Sequence, residues 1–136
     1  MKGGDILFQP VIKWSGSKRS QAKEIVSYFP DNINTYYEPF IGGGSVMFEL
    51  LNSDKNFNSI ICSDLNSDLI NLWNMIKHSK EELAEGYEEL WNELNKDNNI
   101  VRKKELYYYI RERFNKERNP IDFMFINRTT TNGLIR

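Results

Sequence analysis

The chain has 136 residues, 40% of them hydrophobic, and a formal charge of −1, so it holds enough apolar material for about one domain and has no global electrostatic pull toward nucleic acid. No apolar run reaches the roughly 18 residues that cross a membrane, and the N-terminus lacks a signal-peptide core, so membrane attachment is not expected. Cys62 is the only cysteine, which excludes an internal disulfide and fits a reducing cytoplasm, and His78 stands alone, which leaves no zinc-type metal site.

Along the chain, Ala22, Ile25, Val26 and Phe29 follow helical spacing, and Pro30 ends that segment. A short strand over 35–38 then runs into Tyr37-Glu38-Pro39-Phe40-Ile41-Gly42-Gly43-Gly44-Ser45. Glycines there let the backbone take positive φ and approach a ligand with no Cβ in the way, and the helix that follows offers unpaired N–H groups. That helix is marked by the apolar pairs Val46, Met47 and Leu50, Leu51. A second strand over 59–64 ends in Asp64, 20 residues after Gly44, the spacing of a carboxylate that accepts hydrogen bonds from ribose hydroxyls. Cys62, inside this strand, is expected to be a small buried side chain. Leu69, Leu72, Trp73 and Ile76 space a helix packed on a core. Strands alternating with helices predict a parallel, doubly wound α/β sheet.

The character changes after His78. Ser79-Lys80-Glu81-Glu82 reads as a capping box, and Leu83, Tyr87, Leu90, Trp91 and Leu94 mark the buried face of its helix. A polar loop over 95–99 precedes a helix spaced by Leu106, Ile110 and Phe114, which carries Tyr107-Tyr108-Tyr109 and the basic residues Arg111 and Arg113. Asn119-Pro120 supplies an N-cap and a first-turn proline for a last helix, which Asn132-Gly133 is expected to stop. The organisation predicted is a cofactor-binding α/β part over 1–77 and a helical part over 78–136. Two strands are too few for a finished sheet, so the fold is expected to be truncated.

Four blocks, in order and spanning nearly the whole chain, resemble the Dam family, or D12 class, of adenine-N6 DNA methyltransferases. Lys13-Trp14-Ser15-Gly16-Ser17-Lys18 is similar to the family's K-W-x-G-x-K. The stretch from Tyr37 to Phe48 is similar to the family's second block in its E-P-F-x-G-G-G-x-V-x-F, and Ser63-Asp64-Leu65-Asn66 is similar to S-D-x-N. The closing run, Phe125-Ile126-Asn127-Arg128-Thr129-Thr130-Thr131-Asn132-Gly133-Leu134-Ile135-Arg136, is similar to F-x-N-R-x-x-x-N-G-L-x-R.

The resemblance implies a partial Rossmann-like S-adenosylmethionine-dependent methyltransferase sheet with a helical DNA-recognition unit. It implies Glu38, Pro39, Phe40, Gly42 and Gly44 beside the methionine part of S-adenosylmethionine, Asp64 at its ribose, and Trp14 and Lys18 close by. An indole suits both roles it could take there, covering an adenine or lying near a sulfonium. It further implies double-stranded DNA as partner, with a GATC-like site. Lys13 matches a lysine that reads guanine, Leu134 and Arg136 match residues that touch target bases, and Arg128 and Asn132 fall in the same block.

Methylating adenine N6 also requires a flipped base and acceptors for its amino hydrogens, which D-P-P-Y provides in the family. This sequence has no D-P-P-Y: its prolines are Pro10, Pro30, Pro39 and Pro120, none adjacent to another. No catalytic residue is therefore assigned, and the chain is expected to be inactive alone, as a fragment, a natural truncation such as a phage remnant, or one half of a split enzyme. Uncovered sheet edges would then favour self-association or pairing with the missing C-terminal half. The alternative is a non-catalytic binding module or inhibitor that reuses the fold to bind DNA or a protein. A nicotinamide-type Rossmann enzyme is disfavoured, because E-P-F before the glycines is not part of that fingerprint.

Overall fold

A computed structural model of the protein describes residues 7–133, which fall into two compact units divided between Leu65 and Asn66. The first unit contains α1 (Ala22–Ser27), β1 (Asn32–Glu38), α2 (Ser45–Leu51) and β2 (Asn56–Cys62). The two strands pair in parallel, with Ile33 opposite Phe57, Tyr36 opposite Ile60 and Glu38 opposite Cys62. Their apolar side chains Ile33, Tyr36, Phe57 and Ile60 pack on a buried cluster of Ala22, Val26, Val46 and Leu50. The helical spacing of α1 and α2 is thus the spacing of one core-facing stripe on each.

Polar side chains tie the strands together where they face solvent. Asn56 Nδ2 donates to Asn32 Oδ1 at 3.2 Å, Asn58 Nδ2 to Asn34 Oδ1 at 3.0 Å, and Ser59 Oγ to Thr35 Oγ1 at 2.9 Å. The architecture is mixed α/β. Among the described residues the sheet has two strands, so of a doubly wound arrangement only this single β1-α2-β2 unit is present.

The second unit is helical: α3 (Ser67–His78), α4 (Lys80–Asn95), α5 (Ile100–Glu117) and α6 (Pro120–Thr129), followed by a 3₁₀ turn over Thr131–Gly133. Helix α6 packs on α3, α4 and α5, and its Phe123, Phe125 and Ile126 are buried, as are Leu69, Leu72, Leu83, Ile110 and Phe114. Gly86 lets α4 lie close to α6, since a Cβ there would stand 2.6 Å from Ile121 Cδ1 and the isoleucine would have to shift. Three asparagines cap the helices by accepting backbone N–H bonds. Asn66 serves Leu69, Asn99 serves Val101 and Arg102, and Asn119 serves Ile121, with Pro120 next in the first turn.

Four local expectations differ from what is observed. The Ser79 side chain makes no cap bond, because Ser79 also ends α3: its N–H donates to Met75 O, and its φ of −142° and ψ of 44° suit that turn instead. Helix α6 stops at Thr129, short of Asn132-Gly133. There the Thr129 hydroxyl donates to Phe125 O at 2.7 Å, a local bond that competes with helix propagation. Cys62 is half-buried, where its place among apolar strand residues predicts a small buried side chain. Its Sγ lies 3.8 Å from Met47 Sδ, and partial burial, with the Glu38 charge adding to it, pushes the thiol up to about 11. Finally, α3, whose apolar spacing assigns it to the α/β portion, buries Leu69 and Leu72 in the helical unit, against α6.

Among the described residues no helix is long and apolar enough to cross a membrane, and no cluster of His, Cys, Asp or Glu could hold a metal ion.

Candidate functional site

The first unit carries an open cavity of about 240 Å³ where β1 and β2 end. The strand-to-helix connection over 38–45 forms one wall, and the segment over 14–18 forms the other. Its shape is set by the exit of β2. Ser63 N–H donates to Glu38 O at 3.0 Å, and Ile41 N–H donates to Ser63 O at 2.9 Å. Ser63 Oγ donates to Pro39 O at 3.1 Å, and Gly42 N–H donates to Asp64 Oδ2 at 3.0 Å. The glycine turn is therefore held to the second strand by four bonds at Ser63 and Asp64.

Gly42 and Gly44 take φ values of 49° and 72°, in the left-handed region where side chains are strained, and Gly44 N–H donates to Ile41 O at 2.8 Å to close the turn. Trp14 lies against this turn. A Cβ on Gly42 would meet its Cδ1 at 2.7 Å, and one on Gly43 would meet its Cβ at 3.3 Å. The segment over 14–18 is fastened to the first residue of α2 by Ser17 Oγ and Ser45 Oγ, 2.6 Å apart. Lys18 Nζ donates to Gly16 O at 3.3 Å, which keeps the ammonium on the cavity rim.

Glu38, the last residue of β1, is the charged group most affected by the site. Burial raises its carboxyl pKa, while the Tyr36 hydroxyl, which donates to Oε2 at 3.1 Å, and the Met47 N–H pull it back. The Tyr36 phenol is itself held above its usual range, first by burial and then by the Glu38 charge. Phe40 stands out into solvent with 83% of its surface exposed, so its ring is free to cover a ligand.

Of the residues that the resemblance puts beside a cofactor, Trp14, Lys18, Glu38, Phe40, Gly42 and Asp64 line this one cavity. Pro39 and Gly44 lie in the same connection and shape it from behind, Pro39 as the acceptor for Ser63 Oγ and Gly44 as the N-cap of α2. Of the DNA-contact expectations, Lys13 is exposed in the first unit, and Arg128 is exposed in the last turn of α6. Asn132 falls in the 3₁₀ turn, and Leu134 and Arg136 lie outside the described residues. Sequence reasoning missed Ser17, Ser45 and Tyr36. Tyr36 had a readable signal, since two residues along a strand from Glu38 is the spacing of side chains on one face.

The model of the D12 class N6 adenine-specific DNA methyltransferases matches residues 14–136. The chain belongs to this family. Among curated methyltransferases, a type II methyltransferase of Methanocaldococcus jannaschii is 37% identical over 94% of this chain and 48% of its own length. The DNA adenine methylase of Escherichia coli strain K12 is 36% identical over 92% of this chain and 42% of its own length. That of Haemophilus influenzae is 36% identical over 94% of this chain and 43% of its own length. The chain thus spans less than half the length of the methyltransferases it matches.

Proposed function

We propose that this chain is the methyl-donor-binding portion of a DNA adenine-N6 methyltransferase and that the cavity over Gly42 holds S-adenosylmethionine. The observation that carries the reading is the convergence on one cavity of two carboxylates, an ammonium, two aromatic side chains and a glycine turn. That donor set suits a ligand made of an amino acid, a ribose and a purine. Glu38 and Asp64 accept hydrogen bonds from ribose hydroxyls or an α-ammonium, Lys18 balances an α-carboxylate, and Trp14 and Phe40 cover flat or cationic surface. Gly42 and Gly43 let the ligand reach the backbone. When bound, S-adenosylmethionine supplies a methyl group made electrophilic by its sulfonium. The chain's own residues bind and orient it and keep water from one side.

Activating the adenine is a separate task. Its amino lone pair is delocalised into the ring, so acceptors must take the N6 hydrogens while the base is held out of the duplex. The 136 residues contain no D-P-P-Y, and they are proposed to bind the donor without transferring its methyl group. Pairing with a polypeptide that carries those acceptors would then complete the enzyme.

Calorimetric titration with S-adenosylmethionine tests the donor site. Saturable binding is expected, and Asp64→Ala should weaken it at least about tenfold, because the change removes a ribose acceptor and releases the Gly42 N–H. A titration showing no heat of binding under any buffer condition would sink the assignment.

The DNA reading rests on the family and on exposed Lys13 and Arg128. In gel shifts the chain is expected to prefer a duplex carrying GATC over a scrambled one. If Lys13 reads a guanine, Lys13→Ala should reduce that preference about tenfold. Equal loss of affinity for both duplexes would make Lys13 a phosphate contact.

A further inference from the structure

Tyr36 has one side chain in two environments. Its ring belongs to the core, packed with Ile33, Phe57 and Ile60 around Val26 and Leu50, and stands 5.4 Å from the Phe29 ring. Its hydroxyl leaves that core and donates to Glu38 Oε2 at 3.1 Å. Packing of the partly buried ring restricts where the hydroxyl can stand, so it offers Glu38 a placed donor. A glutamate has three side-chain torsions to settle. Here the hydroxyl engages one carboxylate oxygen and the Met47 N–H makes a further bond.

Resting on the donor-site reading above, we propose that Tyr36 is a positioning residue: without touching the ligand, it holds the Glu38 carboxylate, by a hydrogen bond to Oε2, toward the cavity for binding S-adenosylmethionine. A hydrogen bond donated to a carboxylate favours the charged form and restricts its rotamers. The titratable groups around Glu38 are few. Tyr36 lies on its own strand, Cys62 is its register partner on β2, and Lys18 and Asp64 line the same cavity. The Cys62 thiol and the Tyr36 phenol stay protonated well above neutrality, so between acid and neutral pH Glu38 is the member of the Tyr36–Glu38–Cys62 group that changes charge.

Tyr36→Phe tests this, because it keeps the ring and removes only the hydroxyl. Binding of S-adenosylmethionine is measured by calorimetry across pH, and the melting of the ligand-free chain reports folding. The parent's affinity falls on the acid side as Glu38 takes up a proton. In Tyr36→Phe affinity should drop about fivefold at neutral pH, and the acid limb should move to higher pH, because the bond that lowered the carboxyl pKa is gone. In a Glu38→Gln background Tyr36→Phe should move no acid limb, because the carboxyl that the hydroxyl serves is gone.

An unchanged affinity and limb in Tyr36→Phe overturns the inference and leaves the donor site standing. A loss equal at every pH, with the limb unmoved, also overturns it by reducing Tyr36 to ring packing. Absence of binding by the parent chain overturns the donor site and this inference with it.

Discussion

Arg113→Met is expected to cost the helical unit about 2–3 kcal/mol and to lower its thermal midpoint by about 10 °C or more, followed by circular dichroism. The cause lies at Asp122, which has no solvent-exposed surface although it is a carboxylate. Arg113 reaches from α5 to α6 to meet it, with Nε donating to Oδ2 at 2.8 Å and a terminal nitrogen donating to Oδ1 at 2.5 Å. The carboxylate holds the Arg113 guanidinium well above its ordinary pKa. Removing the arginine leaves a buried charge with no cation beside it, a loss of about 3–5 kcal/mol for a fully buried pair. Arg113 keeps about a third of its side chain in solvent, at 32%, so water screens part of the effect and the lower figure is used.

The double change Arg113→Met/Asp122→Leu should recover most of that loss. Replacing both partners by apolar groups of similar size removes the buried charge together with its need for a cation. A single Arg113→Met chain melting within about 2 °C of the parent would mean that the ion pair contributes little to the stability of the unit.

Gly42→Ala is the second large effect, and it strikes the cavity. At φ 49° an alanine is strained by about 1–2 kcal/mol, and its Cβ would also stand 2.7 Å from Trp14 Cδ1 and 3.2 Å from Nε1. The indole edge must therefore shift, and it moves one cavity wall with it. We expect S-adenosylmethionine affinity to fall more than about tenfold, with a stability loss of about 1–3 kcal/mol. Gly16→Ala is the comparison, because φ there is 75° but a Cβ meets nothing within 4 Å. That change carries the backbone strain alone and should leave Trp14 where it is. Equal titrations for Gly42→Ala and the parent would show that Trp14 is no part of the donor site.

Much of the candidate site is legible in the order of residues. The run from Glu38 to Ser45 announces a strand, a glycine turn and a helix, and these are β1, the connection and α2. Asp64 is picked out by its distance from the glycines, and it does return to them, but through a bond to the Gly42 N–H that spacing cannot foretell. Ser79 shows the opposite case. Its sequence carries the capping-box pattern, yet the residue serves as the end of α3, and one backbone conformation cannot meet both demands. In the sequence Asp122 is only a residue in a run without a second proline. Its complete burial is invisible there, since its partner is nine positions away on another helix.

What the sequence determined by itself is local: where a helix begins at Asn119, where Pro30 closes the first segment, and where glycines admit a left-handed backbone. Each follows from bonds or clashes within a few residues, which the order of side chains dictates whatever the rest of the chain does. The tertiary structure alone decided the long-range pairs. Trp14 came to rest on Gly42, Ser17 met Ser45, and Arg113 met Asp122. It also decided that the Tyr36 hydroxyl emerges from the core at Glu38 rather than at solvent. These contacts depend on how packed elements orient their faces. That orientation is a property of the whole core's volume and shape, so no single stretch of residues carries it.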